Sequence, residues 1–166
     1  IWVDADYEGG SRFCVCLPIT NGDPVENGVS ADTERRASGV RALVVDDERD
    51  VAELIAEILR KEGIQVDMAH SGTDALELMA QGQYDILLSD LNMPELDGRG
   101  LWEAIRDNIP DTLEKTAFIT GDTMGAASIS LLRESQRPYL EKPVSPAELR
   151  ELVYGILNGD QTGEPL

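Results

Sequence analysis

The chain has 166 residues and a formal net charge of −18, with 32 acidic against 14 basic side chains. A field of that sign repels polyanions, which argues against nucleic acid or an anionic membrane as a direct partner, and no apolar run is long enough to span a bilayer. The length allows one well-cored domain plus an appendage. The opening at Ile1 lacks the charged and apolar regions of a signal peptide and reads as a fragment boundary.

The first stretch, "IWVDADYEGGSRFCVCLPI", alternates apolar and polar residues on either side of Gly9-Gly10, which predicts a β-hairpin. Two strands alone are marginal, so this hairpin is expected to come from a larger sheet. Cys14 and Cys16 would share one strand face, at a spacing that suits neither a disulfide nor a C-x-x-C site, and read as small strand residues in a reducing cytosol. Thr20–Gly39 is rich in Gly, Pro, Ser and charge and reads as a linker.

From Val40 onward, short apolar runs alternate with helical periods. Val40–Val45 predicts a strand, and Asp50–Lys61 a helix carrying Val51, Leu54, Ile55, Ile58 and Leu59, which stops at Gly63. Ile64–Ala69 is a second strand; His70, the only histidine, reads as structural. Ser71–Asp74 has the form of a capping box ahead of Ala75, Leu76, Leu78 and Met79. Tyr84–Ser89 is a third strand ending at Asp90, "NMPELDG" is turn chemistry, and Gly100–Asn108 a short helix. Thr116–Thr120 is a fourth strand, Ala126–Glu134 a weaker helix, and Pro138–Lys142 a fifth strand. Ser145-Pro-Ala-Glu148 is a capping box opening a helix with Leu149, Leu152, Val153, Ile156 and Leu157 on one stripe. The tail from Asn158 is expected to fray.

Strands alternating with helices predict an α/β fold, a parallel sheet with helices on both faces. Such sheets carry their sites at the carboxyl ends of the strands. Asp46 and Asp47, Asp90, Thr120 and Lys142 each follow or close a predicted strand, so all five fall on one edge. Carboxylates crowded together repel one another unless a cation sits among them. Hard oxygen ligands at an open site suit Mg²⁺, which makes Asp46, Asp47 and Asp90 a candidate metal site. With an ammonium and a hydroxyl beside it, the set suits phosphoryl transfer to an Asp. An acidic helix cap would explain one member of the Asp46–Asp47 pair but not the joint arrangement.

"VVDDE", "LLSDLNMPELDG", "FITGD" and "YLEKPVSPAEL", in this order, resemble the response-regulator receiver domain over Val40 to Asn158. The resemblance implies a flavodoxin-like doubly wound five-stranded sheet of order 2-1-3-4-5. It implies that Asp90 takes a phosphoryl group from a phosphohistidine. Asp47 would bind Mg²⁺ directly, Asp46 partly through water, and the backbone carbonyl of Asn92 would complete the protein's ligands. Thr120 would be the switch hydroxyl, Lys142 the phosphate-contacting amine with a cis bond to Pro143, and Tyr139 the aromatic that turns inward with Thr120. Asn92 and Asp122 fall where the family tunes dephosphorylation.

In the first stretch, Gly10, Ser11, Phe13, Leu17 and Pro18 look like the last hairpin of a histidine-kinase ATP-binding domain. The expected domains are then a hairpin remnant at 1–19, a linker at 20–39, a receiver at 40–158 and a tail at 159–166. The chain would belong to a hybrid sensor histidine kinase, without the Gly-rich nucleotide boxes or the phosphorylated His needed to use ATP. Whether it counts as an enzyme stays open, since receivers only assist their own phosphorylation and dephosphorylation. The implied partners are the kinase core as donor and a histidine phosphotransfer protein or domain, in the cytoplasm, with membrane anchoring of the parent left open. No output domain is expected after the last helix, so output would run through protein contacts.

Two rivals share the fold class. A phosphohydrolase with an Asp nucleophile wants a second Asp two residues on, where this chain has Asn92 after Asp90 and Glu48 after Asp46. A flavin carrier wants a phosphate loop after the first strand, where three acids would repel the cofactor.

Overall fold

The computed structural model describes Trp2–Asp4, Arg12–Cys14 and residues 39–159. The chain divides into two compact units, Ile1–Ser30 and Ala31–Leu166. In the first, β1 (Trp2–Asp4) pairs antiparallel with β2 (Arg12–Cys14), Val3 opposite Phe13, as the alternating pattern predicts. The Gly9-Gly10 turn, Cys16, Leu17, Pro18, the linker positions 20–38 and the tail from 160 lie outside the described residues.

The second unit runs β3 (Arg41–Val45), α1 (Arg49–Lys61), β4 (Gln65–Ala69), α2 (Gly72–Gln81), β5 (Ile86–Ser89), α3 (Gly98–Asn108), a 3-10 helix (Pro110–Lys115), β6 (Thr116–Thr120), α4 (Ala126–Ser135), β7 (Tyr139–Glu141) and α5 (Pro146–Asn158). Its five strands are parallel, in the order β4-β3-β5-β6-β7. Counted along the chain, that is the expected 2-1-3-4-5.

Why the strands read as unbroken apolar runs is visible in β3. Ala42 and Val44 face one helical layer, packing with Ala52, Ile55 and Leu59 of α1 and Leu149 and Val153 of α5. Leu43 and Val45 face the other, with Ala75 of α2 and Leu101 and Ile105 of α3. A strand covered on both faces has no side to leave polar. Each large aliphatic side chain buried here stabilises the fold by about 1.5–3 kcal/mol before entropy is counted. Leu91, Trp102, Phe118 and Leu131 form a further cluster.

The helix ends follow local chemistry. Chain reversal after α1 uses Gly63 at φ 82°, a conformation open to glycine and costly for most other residues. At α5 the capping box is complete: Ser145 Oγ accepts from Glu148 N–H, and the Glu148 carboxylate accepts from Ser145 N–H. At α2 the forward half forms, with Asp74 N–H donating to Ser71 Oγ at 3.0 Å; Asp is one methylene shorter than the Glu that usually closes the box.

Two element starts move by two residues from the sequence pattern, and one element is added to it. β5 starts at Ile86 rather than Tyr84, because the Asp85 carboxylate takes the Arg41 N–H at 3.0 Å in place of a ladder carbonyl. α3 starts at Gly98 rather than Gly100, capped by Asp97 Oδ1, which accepts from Gly100 N–H at 2.8 Å. The 3-10 helix, opened by Pro110, has too short a period for its apolar residues to mark. Among the described residues, no helix is long and apolar enough to cross a membrane.

Candidate functional site

The carboxyl ends of β3, β5, β6 and β7 bring together residues up to 96 positions apart. Asp46 follows β3 and is 1% exposed. Its N–H donates to Ala69 O, and its Oδ1 accepts from Glu48 N–H at 3.0 Å, which fixes the carboxylate in a tight turn. Asp90 follows β5 and is 5% exposed; its N–H donates to Val45 O at 2.9 Å, and its Oδ1 accepts from Asn92 N–H at 3.2 Å. Gly98 lets α3 start directly under this loop. A Cβ there would stand 2.6 Å from Asp90 O and 2.7 Å from Leu91 Cα, too close for any other residue without backbone movement.

Lys142 follows β7, its N–H donating to Thr120 O at 2.8 Å, and the Lys142–Pro143 bond is cis. Its Nζ lies 2.8 Å from Asp90 Oδ2, 2.8 Å from Asp46 Oδ2 and 3.4 Å from Glu48 Oε1. Burial works against the ammonium's charge, but the hydrogen bonds and charges of Asp46 and Asp90 outweigh it and raise its pKa. For Asp46 the balance runs the other way: burial outweighs the pull of Lys142 and the Glu48 N–H, and the carboxyl is held above its ordinary value. Asp46 Oδ2 is buried, and its charge partner is the Lys142 ammonium, which it shares with Asp90 and Glu48.

Thr120 is fully buried at the end of β6. Its Oγ1 accepts from Asp122 N–H at 3.2 Å and, at 3.5 Å, from Asn92 Nδ2. Asn92 thus spans the site, its backbone amide on Asp90 and its side-chain amide on Thr120. Tyr139 is exposed. His70 Nδ1 lies 3.2 Å from the Asp46 carbonyl, a backbone contact consistent with a structural histidine.

Carboxylate oxygens of Asp46, Glu48 and Asp90 all lie within 4.8 Å of one another. Asp47, exposed on the loop, does not supply a member of this trio; Glu48 does. Strand-end position alone points to Asp46 and Asp90, but not to the direction in which a helix-cap glutamate turns. The span of Asn92 likewise had no signal beyond its place in "NMPELDG".

The family model for the response regulator receiver domain matches residues 42–154. The chain belongs to this family. The chain is 38% identical over 114 residues to the response regulator receiver protein Anae109_2439 of an Anaeromyxobacter species, covering 68% of this chain and 46% of that protein. It is 32% identical over 168 residues to the sensor kinase CckA of Brucella abortus, covering 95% of this chain and 18% of CckA. It therefore spans less than half the length of either relative. Among solved structures, the response regulator TrrA of Thermotoga maritima, in complex with Mg²⁺-BeF, superposes with a TM-score of 0.62 at 30% identity, covering 70% of this chain and 98% of that one.

A receiver of two-component signalling is thus the function class, and the phosphohydrolase reading is not favoured. Receivers bind Mg²⁺ through acidic residues, and the donor set here fits. It offers clustered hard oxygens from three carboxylates that share a single ammonium, on an edge that keeps Glu48 open to water.

Proposed function

We propose that Asp90 is the phosphoacceptor of a phosphorelay, fed from a phosphohistidine. An Asp90 carboxylate oxygen attacks phosphorus, the phosphorus–nitrogen bond to histidine breaks as the phosphorus–oxygen bond forms, and the imidazole leaves with the electron pair. Mg²⁺, held by Asp47, Asp90 and the Asn92 carbonyl and by Asp46 partly through water, would neutralise charge on the transferring group. Lys142 offers its ammonium to a phosphoryl oxygen, with Asp90 Oδ2 as its present partner at 2.8 Å. Thr120 would give its hydroxyl to another oxygen, and Tyr139 would turn inward behind it. The single observation that carries this reading is the salt bridge of Lys142 to a buried Asp90 across 52 residues.

The parent protein, on this reading, is a hybrid sensor histidine kinase. Support comes from the match to CckA, which runs over 95% of the chain and so extends beyond the receiver into the N-terminal stretch. A second sensor histidine kinase, AtsR of Burkholderia thailandensis, matches over 87% of the chain at 30% identity. The hairpin at 1–19 would then close the ATP-binding domain, 20–39 would be the linker, and 40–158 the receiver. The kinase core would be the donor and a histidine phosphotransfer protein or domain the acceptor, in the cytoplasm.

Incubation with acetyl phosphate and Mg²⁺, followed by intact mass, tests the acceptor. One phosphoryl group is expected on the wild type, and none on Asp90→Asn or with EDTA. The same gain of mass in Asp90→Asn would move the acceptor elsewhere.

A further inference from the structure

We propose that Glu48 supplies a further carboxylate to the cation site: it rests on Lys142 while no ion is bound and turns onto the divalent cation, directly or through one water, when an ion enters. This deepens the receiver reading and rests on it.

The first observation is a cap that does not cap. Asp97, Ser71 and Ser145 precede α3, α2 and α5, and each accepts a hydrogen bond from its own helix's first turn. Glu48 precedes α1 and accepts none; its Oε1 lies instead 3.4 Å from Lys142 Nζ, 94 residues away. Asp46 fixes the Glu48 backbone by accepting its N–H, so the side chain leaves the turn on the site's side.

The second is an imbalance of charge. One ammonium, that of Lys142, faces the carboxylates of Asp46, Glu48 and Asp90, a trio whose oxygens lie within 4.8 Å. Two oxygens on one Mg²⁺ sit at most about 4.2 Å apart, given metal–oxygen distances of roughly 2.0–2.1 Å. The trio is therefore within a small rotation of a shared ion. Glu48 can make that rotation, since its side chain is 64% exposed and its contact with Lys142 is a solvent-screened one. A dication carries twice the charge of the ammonium and draws the carboxylate away from it.

Titration calorimetry of the whole chain with MgCl₂ tests the proposal. Glu48→Gln should weaken Mg²⁺ binding by about fivefold, between the roughly 2–5-fold of an exposed ion pair and the ~10–100-fold of an outer-shell partner. Glu57→Gln, an exposed charge farther along α1, should bind like the wild type and so controls for net charge. Glu48→Gln binding as tightly as the wild type, or Glu57→Gln weakening binding equally, would overturn the proposal. If that happens while acetyl phosphate still labels Asp90, the receiver reading stands without it. A wild type that takes up no Mg²⁺ overturns both.

Discussion

At the scale of single residues, Asp46 carries the tension of the site. It is 1% exposed, and its raised pKa is set first by burial, with Lys142 pulling the other way. In EDTA the folded protein therefore keeps a proton on Asp46 at a pH where the unfolded chain, near the ordinary value of 3.8, has released it. The sign follows: relative to Asp46→Asn, wild-type stability is highest below that value and declines as pH rises through the raised pKa. Mg²⁺ favours the ionised carboxylate and should remove the decline. Urea midpoints of the two proteins against pH, with EDTA and with Mg²⁺, check this; a flat difference in EDTA would contradict burial as the dominant cause. Asp46, Asp90, Thr120 and Lys142 were legible because each sits at a strand's carboxyl end, and topology converts that into proximity. Glu48 was not, because a side chain's direction from a helix cap depends on Lys142, which arrives from the far end of the chain.

Individual elements position the site by packing, and two substitutions separate the contributions. Leu149 is fully buried where α5 lies on the sheet. Leu149→Ala should cost about 2–5 kcal/mol by denaturant unfolding, the range for a deleted core leucine, without altering the Asp90 loop itself. Gly98→Ala acts at the loop. The added methyl would meet the backbone of Asp90 and Leu91 rather than a movable side chain. A cost of about 1–3 kcal/mol is expected, together with slower labelling by acetyl phosphate as Asp90 shifts. Equal labelling rates for Gly98→Ala and the wild type would show that the loop absorbs the methyl. At this scale the sequence was legible where apolar periodicity was strong: β6 matches its predicted span, and α1 and α4 do so to within a residue. It was weaker where polar groups set the boundary, as Asp85 does for β5 and Asp97 for α3.

Over the whole molecule, the charge of −18 makes a cation at the strand ends a stabilising ligand as well as a participant in chemistry. Mg²⁺ at a hundred times its Kd should stabilise the wild type by about 2.7 kcal/mol through binding the folded state alone. The midpoint should return to its starting value on adding EDTA, and the gain should shrink in Asp90→Asn; an equal gain in that variant would place the stabilising ion elsewhere on the acidic surface. The parallel fold was legible because both faces of the inner strands β3, β5 and β6 are covered, which leaves short apolar runs that only a doubly covered sheet accommodates. The central claim, that phosphorus is accepted on one aspartate, is tested most directly by position. After reaction with acetyl phosphate and Mg²⁺, borohydride reduction converts an aspartyl phosphate to homoserine, which peptide mass spectrometry locates. Homoserine at position 90, absent when Mg²⁺ is omitted, is the predicted result; homoserine at Asp46, Asp47 or any other aspartate, with position 90 intact, would contradict it.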